Sequence, residues 1–335
     1  MKIHTILLTL IAALALSLAA CGDDDDKSSA TATVAVTQAT QVTPTATPVA
    51  ATYFECTATH PAKTPDASAF PVTVTDGGGN TVTFDAPPAK IASLDAAHTE
   101  ILYAIGAGGQ VTAVDNTSDC PASVSSLPKV DSFTPSVEAI TALQPDLVVL
   151  FYDPGDLVAS LQSAGIDVLM LPTPPDVNGA YDDIELLGKA TGHVDDADKL
   201  VTSMSDEVHA IEQSVANQTA PKVFHELDNT YFSVGDGSFV DNLYTILRAN
   251  NIGHGTGQAG PQLSSEAIIA ANPDVIILAD EEFGENEQTV AARPGWSVIK
   301  AVQSHRVYGV DPDIVSRPGP RIVDALRALK ADLYP

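Results

Sequence analysis

Basic residues are scarce in this sequence: 16 Lys and Arg stand against 43 Asp and Glu, which gives a formal net charge of −27. Such a field repels polyanions, so nucleic acid is excluded as a partner. Long apolar runs are lacking after the first 20 residues, because charges interrupt every later stretch before a membrane-spanning length is reached. With 44% apolar residues over 335 positions, the chain can still bury the cores of about two domains.

Residues 1–20 have the pattern of a lipoprotein signal peptide. An apolar run follows Lys2, and the ending Ala19-Ala20-Cys21 resembles a bacterial lipobox, in which Cys21 receives lipid. An ordinary secretory peptide cut near Ala20, with an incidental Cys21, is the alternative. Both interpretations place the protein outside the cytoplasm, and the lipobox anchors it to the bacterial cell membrane.

Residues 21–69 are the predicted tether between this anchor and a folded body. Within them, residues 28–52 contain no Leu, no aromatic and no charged residue. Such a composition buries too little apolar surface to offset the entropy cost of ordering the chain. We therefore expect residues 21–69 to be flexible.

Cysteine is rare, and two of the three Cys remain once Cys21 is assigned to the anchor. Cys56 and Cys120 are expected to form a disulfide, because two thiols in an oxidising compartment most often pair. Two separate thiols are the alternative. Metal binding by two Cys without companion ligands is disfavoured.

The body of the chain contains an internal repeat, in which residues 135–150 align with residues 263–278. Half of the 16 positions are identical, including Glu138 with Glu266 and the following Pro-Asp pairs. Each copy predicts a short helix with a Ser cap and an early Glu, followed by a buried strand. The copies lie 128 residues apart, which is too long a period for a solenoid and indicates two similar lobes.

Strands and helices alternate around both copies. This pattern predicts an α/β fold with mainly parallel sheets, in which ligands lie beyond the carboxyl ends of the strands. Between the copies, apolar residues recur every three or four positions, which predicts one long connecting helix over residues 194–219. The lobes are expected at residues 70–193 and 220–335.

Several motifs in this order resemble one family, the iron-siderophore and vitamin B12 type of substrate-binding protein of ABC importers. The resemblance covers roughly residues 70–335 and is closest to the cobalamin-binding branch. The motifs are Val74-Thr-Asp-Gly77, Pro87-Pro-Ala-Lys-Ile91, Thr99-Glu-Ile-Leu-Tyr-Ala-Ile-Gly106, the two Glu-Ala-Ile repeats, Arg293-Pro-Gly-Trp296 and Ser316-Arg-Pro-Gly-Pro-Arg321, with Asp119-Cys-Pro121, Leu127-Pro-Lys-Val130 and Gly237-Ser-Phe239 for the branch.

This resemblance implies two Rossmann-like lobes joined by one long backbone helix, and a monomeric receptor that needs no cofactor. The implied ligand is a metal chelate held between the lobes, with a corrinoid such as vitamin B12 as first choice and a ferric siderophore or haem next. The implied partner is the permease dimer of an ABC importer, which Glu138 and Glu266 contact, one from each lobe. The alternative is that each glutamate only stabilises its own helix.

Loops that leave predicted strands supply the candidate ligand contacts. Aromatic residues make up only 5% of the chain, so several on such loops favour a large, flat and partly apolar ligand. Local packing of any one aromatic is the alternative. Arg317 and Arg321 suit carboxylate or phosphate groups, although Arg321 can equally bridge the lobe surfaces. The candidate contacts are Asp95, His98, Tyr152, Tyr231, Phe239, Phe283 and Arg317.

Three further interpretations stay open. His98 and Tyr152 suit the iron of a haem or a bare ferric ion, although a lone His at a helix start is commonly structural. A zinc or manganese receptor requires several ligands to converge, and only His98, His225 and His254 are placed to do so. An extracellular enzyme is the remaining class, but no set of acid, base and nucleophile has a spacing that demands catalysis.

Overall fold

Strands and helices alternate along the part of the chain that the computed structural model describes, residues 54–335. The strands are β1 (Val72–Thr75), β2 (Thr81–Phe84), β3 (Ile91–Ser93), β4 (Val111–Asp115), β5 (Lys129–Val130), β6 (Leu147–Leu150), β7 (Asp167–Met170), β8 (Lys222–Glu226), β9 (Asn250–Asn251), β10 (Val275–Leu278) and β11 (Val307–Gly309). The α-helices are α1 (Ala96–Ala104), α2 (Val137–Ala142), α3 (Leu157–Ser163), α4 (Val177–Thr191), α5 (Val194–Val215), α6 (Phe239–Ile246), α7 (Ser265–Ala271), α8 (Glu287–Ala291), α9 (Lys300–Gln303), α10 (Pro312–Ser316) and α11 (Ile322–Leu333).

Two parallel sheets organise these elements. The first sheet has five strands in the order β5-β4-β3-β6-β7, and the second has four in the order β11-β10-β8-β9. Every strand pair within them is parallel, while β1 and β2 form a separate antiparallel hairpin. The predicted α/β class with mainly parallel sheets is confirmed. We call residues 70–193 the N-terminal half and residues 220–335 the C-terminal half.

The internal repeat forms the same local structure in both halves. Ser136 caps α2 and Ser264 caps α7, each by accepting a hydrogen bond from a backbone N–H of the first turn. A fully buried strand follows each helix, β6 in one half and β10 in the other. The chain thus builds the same helix–strand unit twice, once per sheet.

The long helix α5 connects the two halves. Its 22 residues span roughly 33 Å. Asp195 and Asp196 lie in its first turn, where negative charge suits the helix dipole. The helix packs against α4 of the N-terminal half and α11 of the C-terminal half. The described residues form one compact unit, so the lobe boundaries stay a prediction.

A continuous hydrophobic core runs through both halves. It includes Ile91 and Leu147 of the first sheet, Val223 and Ile277 of the second, and Met204 of α5, all fully buried. Two smaller clusters cover the other faces of the sheets. Because one core holds both sheets and the connecting helix, large relative motion of the halves would expose apolar surface.

Residues 54–69 lie against the folded body, which corrects the predicted extent of the flexible tether. Phe54 is 5% exposed. The backbone N–H of Lys63 donates to Gly106 O over 2.9 Å, and that of Asp66 donates to Gly192 O over 2.7 Å. The composition that predicts flexibility ends at residue 52. The segment after it has a buried aromatic side chain, and its backbone N–H groups donate hydrogen bonds to the folded body.

The disulfide between Cys56 and Cys120 is present, as predicted. A hydrogen bond of 2.7 Å from the backbone N–H of Ala122 to Cys56 O lies beside it. The bond fastens the segment of residues 54–69 to the N-terminal half. Residues 1–20, Cys21 and the tether up to residue 53 lie outside the described residues. Within residues 54–335, no helix has both the length and the apolar character to cross a bilayer.

Candidate functional site

A cavity of about 270 Å³ lies where the C-terminal half meets the carboxyl edge of the first sheet. Its N-terminal wall consists of loops that follow β3, β4, β6 and β7, which is where parallel sheets bind ligands. Residues 312–318, which come after β11 of the second sheet, form the opposite wall. The lining residues are Asp95, Ala96, Ala97, His98, Thr117, Phe151, Leu171, Thr173, Pro174, Pro312, Asp313, Ser316, Arg317 and Pro318.

Asp95 and His98 lie in this cavity at the start of α1. The helix begins at Ala96, because the Asp95 carboxylate caps it by accepting the His98 N–H over 3.0 Å. The His98 side chain is buried, and its Nδ1 lies 3.3 Å from Asp95 Oδ1 without forming a hydrogen bond. The imidazole thus lies buried in the cavity lining, with Nδ1 beside the Asp95 carboxylate.

Arg317 bridges the two halves at the opposite wall. Its Nη1 donates to Glu100 Oε1 over 3.0 Å and to Asp119 Oδ1 over 2.7 Å. Its Nη2 lies 2.7 Å from Asp313 Oδ1. Burial opposes the charge of Arg317, but the hydrogen bonds to Asp119 and Glu100 outweigh it and raise the pKa of the guanidinium. Arg317 thus lines the site with its donors already engaged.

Arg321 forms the second ion pair between the halves. Its Nε and Nη2 donate to the two oxygens of Glu100 over 2.8 and 2.6 Å, a bidentate geometry. Glu100 has no exposed surface, and burial raises the pKa of its carboxyl although Arg321 and Arg317 oppose that shift. Arg321 therefore bridges the two halves, and its guanidinium is engaged by Glu100 rather than open to a ligand carboxylate or phosphate. The sequence alone gives no sign that Glu100, inside α1, pairs with either arginine.

An aromatic cluster stands beside the cavity. The Phe151 and Tyr152 ring centroids are 4.5 Å apart, and Phe133 lies 6.2 Å from Phe151. Tyr152 donates from its hydroxyl to Phe133 O over 3.0 Å, which orients both residues. Phe133 is 62% exposed and was not among the predicted contacts. Phe133 follows strand β5, so its strand-end position could have identified it. That strand has only two residues, too few to be recognised from the sequence.

Comparisons with known proteins agree with this α/β arrangement of parallel sheets. The family model described as periplasmic binding protein matches residues 91–314. The chain belongs to the periplasmic binding protein family.

Individual relatives cover most of the chain. An uncharacterized ABC transporter substrate-binding lipoprotein, YvrC of Bacillus subtilis, is 35% identical over 79% of this chain and 86% of its own length. A cobalamin-binding protein of Halobacterium salinarum is 28% identical over 78% of this chain and 73% of its own. The crystal structure of a possible iron-binding, periplasmic solute-binding protein from Staphylococcus epidermidis is 28% identical, with a TM-score of 0.66, and covers 74% of this chain and 99% of that one. These are binding proteins rather than enzymes, as the sequence analysis expects.

Phe239 and Tyr231, two of the expected ligand contacts, do not line this cavity. Phe239 opens α6 but is only 4% exposed and packs into the core that runs through both halves. Tyr231 packs in the C-terminal half, with its ring centroid 5.5 Å from Trp296 and 5.4 Å from the Arg293 guanidinium carbon. Both aromatics follow strands, as predicted, but their rings stabilise packing.

Phe283 lies in the 3-10 helix Glu281–Phe283, directly after β10. It is 82% exposed and does not line the cavity. Of the seven predicted contacts, the cavity brings together Asp95, His98 and Arg317. Tyr152 lies in the aromatic cluster beside it.

The three histidines considered for zinc or manganese do not converge. His225 is fully buried, its Nδ1 is 2.7 Å from the Tyr244 hydroxyl, and burial lowers its pKa to about 4. Within residues 54–335, the only group close enough to share a metal ion is Asp236, Asp241 and His254, which contains neither His98 nor His225. Within the described residues, His98, His225 and His254 are thus not brought together as the zinc or manganese alternative requires.

The carboxylates of that group already have protein partners. His254 Nδ1 lies 2.8 Å from Asp241 Oδ2, and Asp236 accepts the backbone N–H of Gly255 over 2.8 Å. These contacts hold the glycine-rich turn of residues 253–257 against the C-terminal half. The group has a structural role.

Glu138 and Glu266 are both exposed, and each lies in the first turn of its repeat helix. Glu138 accepts a hydrogen bond of 3.0 Å from the Ser136 hydroxyl. Backbone and Ser136 hydrogen bonds lower the pKa of Glu138. The two side chains are thus available at equivalent positions of the two halves.

Proposed function

We propose that this protein is the extracytoplasmic, solute-binding component of an ABC importer and that it captures a metal chelate, with a corrinoid as first choice. The observation that carries the proposal is the cavity between the halves, with strand-end loops on one wall and residues 312–318 on the other. The relatives, which include a cobalamin-binding and a possible iron-binding protein, support it.

The dimensions of the site suit a ligand that is only partly enclosed. A volume of about 270 Å³ lies just below the roughly 300–1,000 Å³ of typical small-molecule pockets. A tetrapyrrole-sized chelate must therefore extend out of the cavity, and the aromatic cluster of Phe133, Phe151 and Tyr152 offers it an apolar surface. In this arrangement the cavity holds one edge of the ligand.

We also propose that Cys21 carries a lipid anchor and that residues 70–193 and 220–335 act as two lobes. The name of the Bacillus subtilis relative, a substrate-binding lipoprotein, supports an extracytoplasmic location and the anchor. The exposed Glu138 and Glu266 are the proposed contacts to a permease dimer. Two equivalent acidic groups on one body can engage a two-fold symmetric partner at both sites together.

A ligand panel tests the chelate proposal. We expect a corrinoid to raise the unfolding temperature of the purified protein, because binding at 100 times Kd adds about 2.7 kcal/mol to the free energy of unfolding. Thermal shift and visible absorbance would be measured with a corrinoid, a ferric hydroxamate, haem, and zinc and manganese salts. A response to the bare metal salts and to none of the chelates would reject the proposal.

A further inference from the structure

The charges around the cavity, and not only its shape, bear on which chelate it accepts. Arg317 and Asp313 line the wall formed with the C-terminal half. Together with Arg321, which does not line the cavity, Arg317 pairs with three carboxylates, those of Glu100, Asp119 and Asp313. Arg321 is almost fully committed to Glu100, and Arg317 is shared among all three acids. No unpaired positive charge remains on this wall to meet an anionic ligand.

The wall formed by the N-terminal half is also acidic. Asp95 lines the cavity, and Asp183 of α4 is close enough for its charge to interact with Asp95 and His98. Burial is the main cause that raises the pKa of Asp183 to about 6, and the neighbouring Asp182 and Asp95 raise it further, against the effect of His98. Asp95 is the carboxylate that lines this wall.

His98 is a buried polar residue of the N-terminal wall. Its side chain is 4% exposed, it lines the cavity, and its Nδ1 makes no hydrogen bond. Nδ1 itself is shielded from solvent 3.3 Å from Asp95 Oδ1, so His98 adds a buried polar group beside that carboxylate. Beside it, Asp95 and Asp313 present carboxylate oxygens, which accept hydrogen bonds and cannot donate them.

On these grounds we propose that the cavity selects its chelate by peripheral charge: it accepts a neutral or cationic edge that carries amide or ammonium donors and rejects an edge that carries carboxylates or phenolates. This inference rests on the proposed chelate-binding function and narrows its ligand class. Amide N–H groups match the oxygens of Asp95 and Asp313, whereas a ligand carboxylate meets like charge with no free guanidinium to offset it.

A matched ligand pair tests the inference. One corrinoid carries intact side-chain amides, and the other is the same corrinoid with an amide hydrolysed to a carboxylate. We expect the carboxylate form to bind about tenfold more weakly by calorimetric titration. In the variant with Asp95→Asn and Asp313→Asn, the affinities for the amide and carboxylate forms should be closer to each other. Both carboxylate charges are removed in this variant, while Asn at position 95 still caps α1. Asp198→Asn, on the exposed face of α5, is the control and should leave the difference unchanged.

The outcomes separate this inference from the proposed function. If the carboxylate form binds as tightly as the amide form, charge selection is overturned and chelate binding stands. A second pair, a ferric hydroxamate and an anionic ferric catecholate, extends the test to other chelates. Tighter binding of the catecholate also overturns the inference. If none of the four compounds binds, the chelate function and the charge rule are both rejected.

Discussion

Asp183 shows how a single carboxyl near the site affects the stability of the whole protein. Its pKa is about 6 in the folded protein, mainly because of burial, against about 3.9 for an unfolded Asp. Between these values the folded protein binds a proton more tightly than the unfolded chain. The free energy of unfolding therefore falls as pH rises from about 4 to about 6 and stays reduced above that range.

Replacing Asp183 by Asn should remove this pH-dependent penalty. We expect Asp183→Asn to raise the free energy of unfolding by about 1–2 kcal/mol at pH 7.5 and to have little effect near pH 4. Urea unfolding at both pH values measures the change. The exposed Asp198→Asn should produce no such difference between the two pH values. An equal effect of Asp183→Asn at pH 4 and pH 7.5 would contradict the assignment.

Individual residues of the cavity could be predicted from the sequence only where they directly follow a recognisable strand. Asp95, His98 and Arg317 follow strands, and the rule that ligands meet strand ends identifies them. Glu100 could not be found in this way, because it lies inside α1 and its partners Arg317 and Arg321 are 217 and 221 residues away. Phe239 shows the converse, since a strand-end position does not tell whether a ring faces the cavity or the core.

At the scale of elements, the repeated Pro-Asp pairs join each repeat helix to its sheet. Asp146 Oδ2 accepts the backbone N–H groups of Ala89 and Lys90, each over 2.8 Å. In the second copy, Asp274 Oδ2 accepts the N–H of Lys222 over 2.9 Å. Both carboxylates thus satisfy N–H groups at the start of the neighbouring strand.

Asp146→Ala should therefore weaken the N-terminal half. We expect a loss of about 1–3 kcal/mol in the free energy of unfolding, because two backbone donors lose their acceptor. Asp146→Asn keeps an acceptor oxygen and should lose less, which makes it the matched variant. Chemical denaturation followed by circular dichroism measures both. Unchanged stability of Asp146→Ala would show that water replaces the carboxylate at no cost.

The repeat, the long helix and the parallel sheets were predictable because they depend on local periodicity and caps. The segment of residues 54–69 was not, because its order comes from contacts with Gly106 and Gly192, which lie far along the chain. Strand β5 was missed for a related reason. Two residues are too few to show an alternating pattern, so their pairing with β4 defines the strand.

For the whole molecule, the proposed function requires that both halves engage a permease at the same time. Helix α5 packs against helices of both halves, and one core runs through them. Such a body presents Glu138 and Glu266 at a nearly constant separation. Simultaneous engagement makes the second contact intramolecular, and loss of both contacts should therefore cost far more than loss of one.

The variant with Glu138→Ala and Glu266→Ala should bind ligand normally and fail to support import. Both side chains are exposed and neither lines the cavity, so affinity for the ligand should not change. Ligand uptake by cells and stimulation of the permease ATPase measure the loss. The control is Asp198→Ala with Asp206→Ala on α5, which removes the same number of charges elsewhere. Normal uptake by the glutamate variant would disprove the docking assignment.

Four properties could be predicted from the amino-acid sequence alone: the class of fold, the duplicated helix–strand unit, the pairing of Cys56 with Cys120, and the family resemblance. Each depends on residues that lie close together in the chain or, for the disulfide, on the small number of cysteines that could pair. The three-dimensional packing was needed to show which strand-end residues share one cavity and which arginine charges are already neutralised. Those properties depend on side chains that are distant in sequence and are brought together only when the two sheets pack around one core.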